Sequence, residues 1–309
     1  MGKGKVEEKR YFNFQFIKTH LKRLLLIPSL LCLDAPLAAL GWAATLSSDL
    51  ARQGLSPTSR TNFAALFLTV WAIYLFDRLF DVYRSQRPEM LTIRHEWARH
   101  HRGLLVLLAA ASSGILAILI LPALDQSTLL AGIGPGLITL LYYLAFRFSG
   151  LHAHFFRRVP WKELTIGTCF TMGILIAVYP GAIGMGFRLL AGGLALLFSA
   201  NCLLISRAEG DLDSSDDPAA HFAGGRPEKD FHLPERLVFL SMIVGIPVAT
   251  GGGFVLSSTS LFACGVMTFF LARTGRDDQR SLMQPSADGI QLFPWLLVAS
   301  EAIGTRLNV

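Results

Sequence analysis

The sequence predicts an all-α fold, a polytopic bundle of eight to nine transmembrane helices around a central cavity. Three observations lead there. Of the 309 residues, 52% are apolar and only 16% charged, where a soluble domain carries roughly a quarter charged residues. The apolar residues gather into blocks of roughly 15–23, close to the length that crosses a bilayer as a helix. The basic residues then fall between alternate blocks, as topogenic charges do. Mean hydropathy is +0.47.

Taken in order, the first 23 residues form a basic segment with Lys3, Lys5, Lys9, Arg10, Lys18, Lys22 and Arg23. No small-residue cleavage site precedes the first apolar block, so no cleavable signal peptide is expected. Residues 24–309 read as one transmembrane domain. Its spans are expected at about 24–46, 62–82, 103–122, 128–148, 163–181, 187–206, 237–257, 259–273 and 289–305. The last two are short or interrupted, which leaves the count at eight or nine. Glycines and prolines within the blocks suit membrane helices, where small residues allow close packing.

Orientation follows from the basic residues. With the N-terminus in the cytoplasm, 24 Lys and Arg fall on the inner side and only Arg52, Arg60, Arg188 and Arg306 on the outer. That bias satisfies the positive-inside rule and supports the order of the first six spans. The net charge of +6 is therefore mostly topogenic, and no nucleic-acid partner is needed to explain it. A bacterial inner membrane is the most economical location. Cys32, Cys169, Cys202 and Cys264 all lie within apolar blocks without paired spacing, as small packing residues do.

The candidate site begins where the second block turns polar, in AIYLFDRLFDVYRSQRP. Asp77 and Asp81 are four residues apart and so share a helical face. Carboxylates at the mouth of a membrane helix are costly to bury, which points to a site. A second acidic run, Glu209, Asp211, Asp213, Asp216 and Asp217, follows the sixth block on the same side. Two carboxylate clusters interleaved with arginines suit Mg²⁺ and a diphosphate, the metal bridging to phosphate oxygens and the guanidiniums neutralising the rest. Solvated loop charges, paired with one another, are the other reading.

The order of residues resembles the UbiA-type intramembrane prenyltransferases. DRLFDVYRSQRP resembles that family's first aspartate-rich motif, NDxxDxxxD followed by Arg-Pro, with Asp77 and Asp81 at its second and third aspartates. EGD at Glu209–Asp211 resembles the end of the second motif, and FRRVPWKELTIG the basic loop entering the fifth helix. Ile73 and Tyr74 stand where the pattern has Asn-Asp, and Arg207 where the second motif has its first aspartate. The resemblance implies transfer of a prenyl group from an isoprenoid diphosphate to an aromatic or related lipophilic acceptor. It implies Asp77, Asp81, Glu209 and Asp211 as Mg²⁺ ligands, with Asp77, Asp81 and Asp211 carrying catalysis. Arg78, Arg84, Arg157, Arg158 and Lys162 would hold phosphates. The alternative is a diverged, non-catalytic member that binds an isoprenoid or quinone lipid.

Three further features stand out. Tyr74, one turn before Asp77, is a candidate shield for a carbocation, or ordinary packing. Asp34 falls within the first apolar block, where an acid is a functional hypothesis by default; an interhelical hydrogen bond serves equally. Asn201 reads as interhelical glue. HEWARHH, with His95, His100 and His101, has one residue too many for the HExxH zinc motif, so these are read as solvated loop histidines.

Overall fold

The structure, a computed structural model, describes residues 27–56, 58–84, 93–144, 160–178, 184–208, 232–251, 253–274 and 280–307. These are mostly helical, with no strand among the described residues. The helices are α1 (Asp34–Arg52), α2 (Arg60–Arg84), α3 (Ile93–His100), α4 (Arg102–Ile115), α5 (Gln126–Tyr142), α6 (Trp161–Val178), α7 (Met185–Ala208), α8 (Leu233–Gly251), α9 (Val255–Thr274), α10 (Arg280–Ile290) and α11 (Pro294–Leu307). Among the described residues, five segments are long and apolar enough to cross a membrane: α2, α6, α7, α9, and α4 with its continuation to Ala123. That continuation loosens into a π-helical turn over Leu116–Ile120 and a 3₁₀ turn over Leu121–Ala123, where Pro122 lacks the N–H that a longer α-helix needs.

The second half packs in chain order, α6 on α7, α7 on α8 and α8 on α9, and α1 bridges it to α2. The main core lies among α1, α2, α6, α7 and α9 and includes Trp42, Leu46, Leu190, Leu194, Leu197 and Leu261. Trp42 meets Phe198 edge to face with ring centroids 6.0 Å apart, an arrangement that adds to the area they bury. On α4, its continuation and α5 many apolar side chains point out instead: Leu107, Ile118, Leu119, Leu130 and Leu141 are exposed. A surface of this kind suits lipid contact rather than water.

Close helix approach depends on glycine. A Cβ at Gly167 would stand 2.3 Å from Ser199 Oγ and 2.6 Å from the Ser199 nitrogen, which is backbone and cannot rotate away. Gly167→Ala should therefore push α6 from α7 and destabilise the protein by about 1–3 kcal/mol. Thermal unfolding in detergent checks this, and an unchanged midpoint would show that the pair can slide apart freely.

The first expected span, 24–46, is not one helix. Residues 27–30 are helical, the chain turns at 31–33, and α1 starts afresh at Asp34. Cys32 takes a left-handed φ of 55°, which a non-glycine residue adopts at a cost, and Pro36 fits the first turn of the new helix. The Leu31 carbonyl freed by the break accepts a hydrogen bond from Trp71 Nε1 at 3.0 Å. Asp34 is thus at a helix start rather than mid-helix. The last expected span, 289–305, is broken in the same way. A turn at 291–293 separates α10 from α11, and Pro294 opens the latter.

Candidate functional site

The helix α2 carries an unbroken helical face from Asn62 to Asp81, a length of about 28 Å at 1.5 Å per residue. That face lines one wall of a cavity of about 750 Å³, within the range of ligand sites. The facing walls come from α5 and α6, with Cys202, Ile205 and Ser206 of α7 completing them. Asn62 Nδ2 donates to the Ala177 carbonyl at 3.0 Å, so the start of α2 meets the end of α6. The opposite end of the cavity therefore collects the end of α2 and the start of α6.

This is the charged end. Asp77, Arg78 and Asp81 line it from α2, Arg94 and His95 from α3, and Lys162 and Glu163 from α6. Between the ends the lining is largely apolar, with Val70, Ile73, Ile133, Ile166, Phe170 and Ile176. Gly132 and Gly136 bring the α5 backbone into the wall, and Tyr143 Oη donates to the Ile73 carbonyl at 3.1 Å, tying the two walls together.

Arg78 is buried, and its Nη1 lies 3.2 Å from His95 Nε2. A guanidinium has only donors, so this contact is a hydrogen bond when His95 presents Nε2 as the acceptor. The same Nε2 stands 3.8 Å from Asp81 Oδ2. Asp81, His95 and Arg78 are therefore one group of side chains at the mouth. Arg94 Nη1 donates to Ser29 Oγ at 3.1 Å and lies 4.0 Å from Asp288 Oδ2.

Of the residues that the sequence nominates, Tyr74, Asp77, Arg78, Asp81 and Lys162 all line this one cavity. Asp34 lines a smaller pocket, of which Tyr74 is also a wall. Glu209, Asp211, Arg157 and Arg158 lie outside the described residues, as does the Arg84 side chain. Among the described residues no three His, Cys, Asp or Glu side chains come together as a metal site by themselves.

Two readings of the sequence change. His95 is not a solvated loop residue: Ile93–His100 is helical, Arg94 and His95 are buried, and His100 and His101 are exposed as expected. The second concerns the position of Arg207, read from the sequence only as the replacement of a motif aspartate: its Nη1 donates to Glu235 Oε1 at 3.1 Å and its Nη2 to the Ala272 carbonyl at 2.9 Å, and it is not among the residues that line the cavity. It fastens α7 to α8 and α9. The fold adds the buried Glu163, Asp288 and Gln291 to the residues that the sequence nominates, and it buries Arg94 of the basic run after Asp81. Glu163 had a visible signal, as an acid in the first turn of an apolar helix directly after Lys162. Asn201 donates from Nδ2 to Asp288 Oδ1 at 3.0 Å, bridging α7 to α10.

No protein-family model and no curated protein matches the chain.

Proposed function

We propose that the chain is an integral membrane protein of eight to nine spans, with a cytoplasmic N-terminus, that binds an isoprenoid diphosphate in the long cavity. In this reading it transfers the prenyl group to an aromatic or related lipophilic acceptor, as the resemblance to UbiA-type prenyltransferases implies. One observation carries it: the cavity is apolar along most of its length and charged at one end, the complement of an apolar chain with an anionic head. Arg78 and Lys162 face the diphosphate as cations, and the apolar walls of α5 and α6 hold the chain away from water.

Asp77 and Asp81, one turn apart on the cavity face of α2, would hold Mg²⁺. The donor set fits, because Mg²⁺ commonly takes one or two carboxylates, several waters and the oxygens of a substrate phosphate. Glu209 and Asp211 are the further ligands expected from the sequence. Bound there, the ion would neutralise the charge that builds on the departing diphosphate. Tyr74, a turn deeper on the same wall, presents a π-face to the carbon that is left electron-poor.

A second reading is binding of an isoprenoid or quinone lipid without transfer. Ile73 and Tyr74 in place of Asn-Asp, and an Arg207 committed to Glu235, favour it by removing oxygen ligands. Geranyl diphosphate binding to the purified full chain in detergent separates the two, measured in Mg²⁺ and again after chelation. Binding that needs Mg²⁺ is the result expected for the enzyme. Retention after chelation is the result for a binder of isoprenoid lipid, and no binding in either condition would refute the isoprenoid diphosphate as ligand in both readings.

A further inference from the structure

Tyr74, Ile166, Phe170 and Cys202 belong to two cavities at once. The second has a volume of about 30 Å³, enough for a single water-sized occupant. Asp34 of α1, Asn201 of α7, Asp288 of α10 and Gln291 in the turn before α11 line it. All four are only 2–7% exposed.

Their hydrogen bonding is incomplete. Asp34 Oδ1 accepts from the Ala35 nitrogen, and Asp288 Oδ1 accepts from Asn201. Asp34 Oδ2, Asn201 Oδ1, Asp288 Oδ2 and both polar atoms of the Gln291 side chain have no hydrogen-bond partner. Four of those five atoms are oxygens. Buried acceptors without donors are costly, and this pocket is short of positive charge rather than of acceptors.

The backbone supports the same conclusion. The chain breaks at 31–33 lead directly into Asp34, and those at 291–293 follow Asp288 and include Gln291. Irregular backbone at membrane depth is tolerated where it is buried in protein, and broken helices are the framework on which membrane proteins build ion sites. The charge balance then selects the ion. Two carboxylates face one guanidinium, Arg94, 4.0 Å from Asp288. The Asp34 and Asp288 carboxyls are close enough to share a proton; a monovalent cation in place of that proton leaves the group neutral beside Arg94, and a divalent one overshoots. Carboxylate and amide oxygens suit a hard cation.

We propose that this pocket binds a dehydrated monovalent cation of sodium's size through Asp34, Asp288, Asn201 and Gln291. The ion joins α1, α7 and α10 directly behind Tyr74, so it sets the wall of the long cavity without being part of its charged mouth. The inference is independent of the prenyl-transfer reading.

The test is thermal unfolding of the full chain in detergent, in sodium, potassium or choline chloride, each at about 0.15 M. Sodium should raise the midpoint by about 2–4 °C over choline and over potassium. Asp34→Asn and Asp288→Asn should each lose that increment. Calorimetric titration of the unaltered protein with sodium chloride should give a saturable heat, which keeps the test decisive even where a variant does not fold. Equal midpoints in the three salts, no saturable heat, or an increment that persists in both variants would overturn the proposal, leaving the pocket to a water or to a proton shared by the acids. Equal stabilisation by potassium would overturn the assignment of size.

Discussion

Asp49→Ala should cost the protein about 3 kcal/mol and lower its unfolding midpoint by about 10 °C. Asp49 is fully buried, near the end of α1, and its carboxylate reaches across to the start of α9. Oδ1 accepts from the Leu256 nitrogen at 3.1 Å, and Oδ2 from the Ser257 nitrogen at 2.8 Å and from Ser257 Oγ at 2.7 Å. The two nitrogens are the second and third of the helix, the donors that an N-cap side chain normally takes. Phe254, directly before α9, has no oxygen to offer them, so the cap comes from another helix. A helix end buried without partners leaves its N–H groups unsatisfied. Alanine removes three bonds at once, two of them to buried backbone donors, and a loss of this size is a large share of a typical stability of about 5–15 kcal/mol. Asp49→Asn keeps one acceptor oxygen and should lose about half as much. Differential scanning in detergent reads both, and an alanine variant within a degree or two of the parent would mean that α9 finds another cap.

What the sequence could and could not reveal divides along physical lines. Apolar blocks are a sum over many residues, so the helices emerge near their expected places. The face shared by Asp77 and Asp81 follows from helical periodicity alone, and both line the cavity. Single residues at helix ends are different. Asp49 lay just past the expected end of the first span, where an acid reads as an interfacial charge, because nothing local says that α9 begins against it. His95 and Arg94 sat in a run of charge that resembles a solvated loop. Only the packing of α3 on α2 turns them inward. The break before Asp34 had a signal in Pro36, which belongs in a first turn, but a continuous apolar block outweighed it. Arg207 shows the limit of a motif position: the sequence says that an arginine replaces an aspartate there, and only the fold says that its partner is Glu235, 28 residues away.

The two sides of that last contrast make the most informative functional comparison. Asp77→Ala should weaken geranyl diphosphate binding in Mg²⁺ about 100-fold, equivalent to about 2.7 kcal/mol. Its carboxylate stands at the charged end of the cavity, one turn from Tyr74 and one from Asp81, so its removal takes away an oxygen that no neighbour on that face replaces. Arg207→Ala should leave the affinity within about twofold, because Arg207 lies outside the cavity lining. Its cost should fall on stability instead, about 2–3 kcal/mol, since the buried Glu235 carboxylate loses its close guanidinium and keeps the more exposed His232 ring at 3.7 Å. The binding isotherm should therefore move in Asp77→Ala and the melting curve in Arg207→Ala. If Arg207→Ala abolished binding while its midpoint held, the second acidic region would reach the ligand through Arg207, and a site built on α2, α3 and α6 would be incomplete. If Asp77→Ala bound normally, the anionic head would rest on Arg78 and Lys162 alone, and the metal reading would give way to a cationic cradle for a lipid.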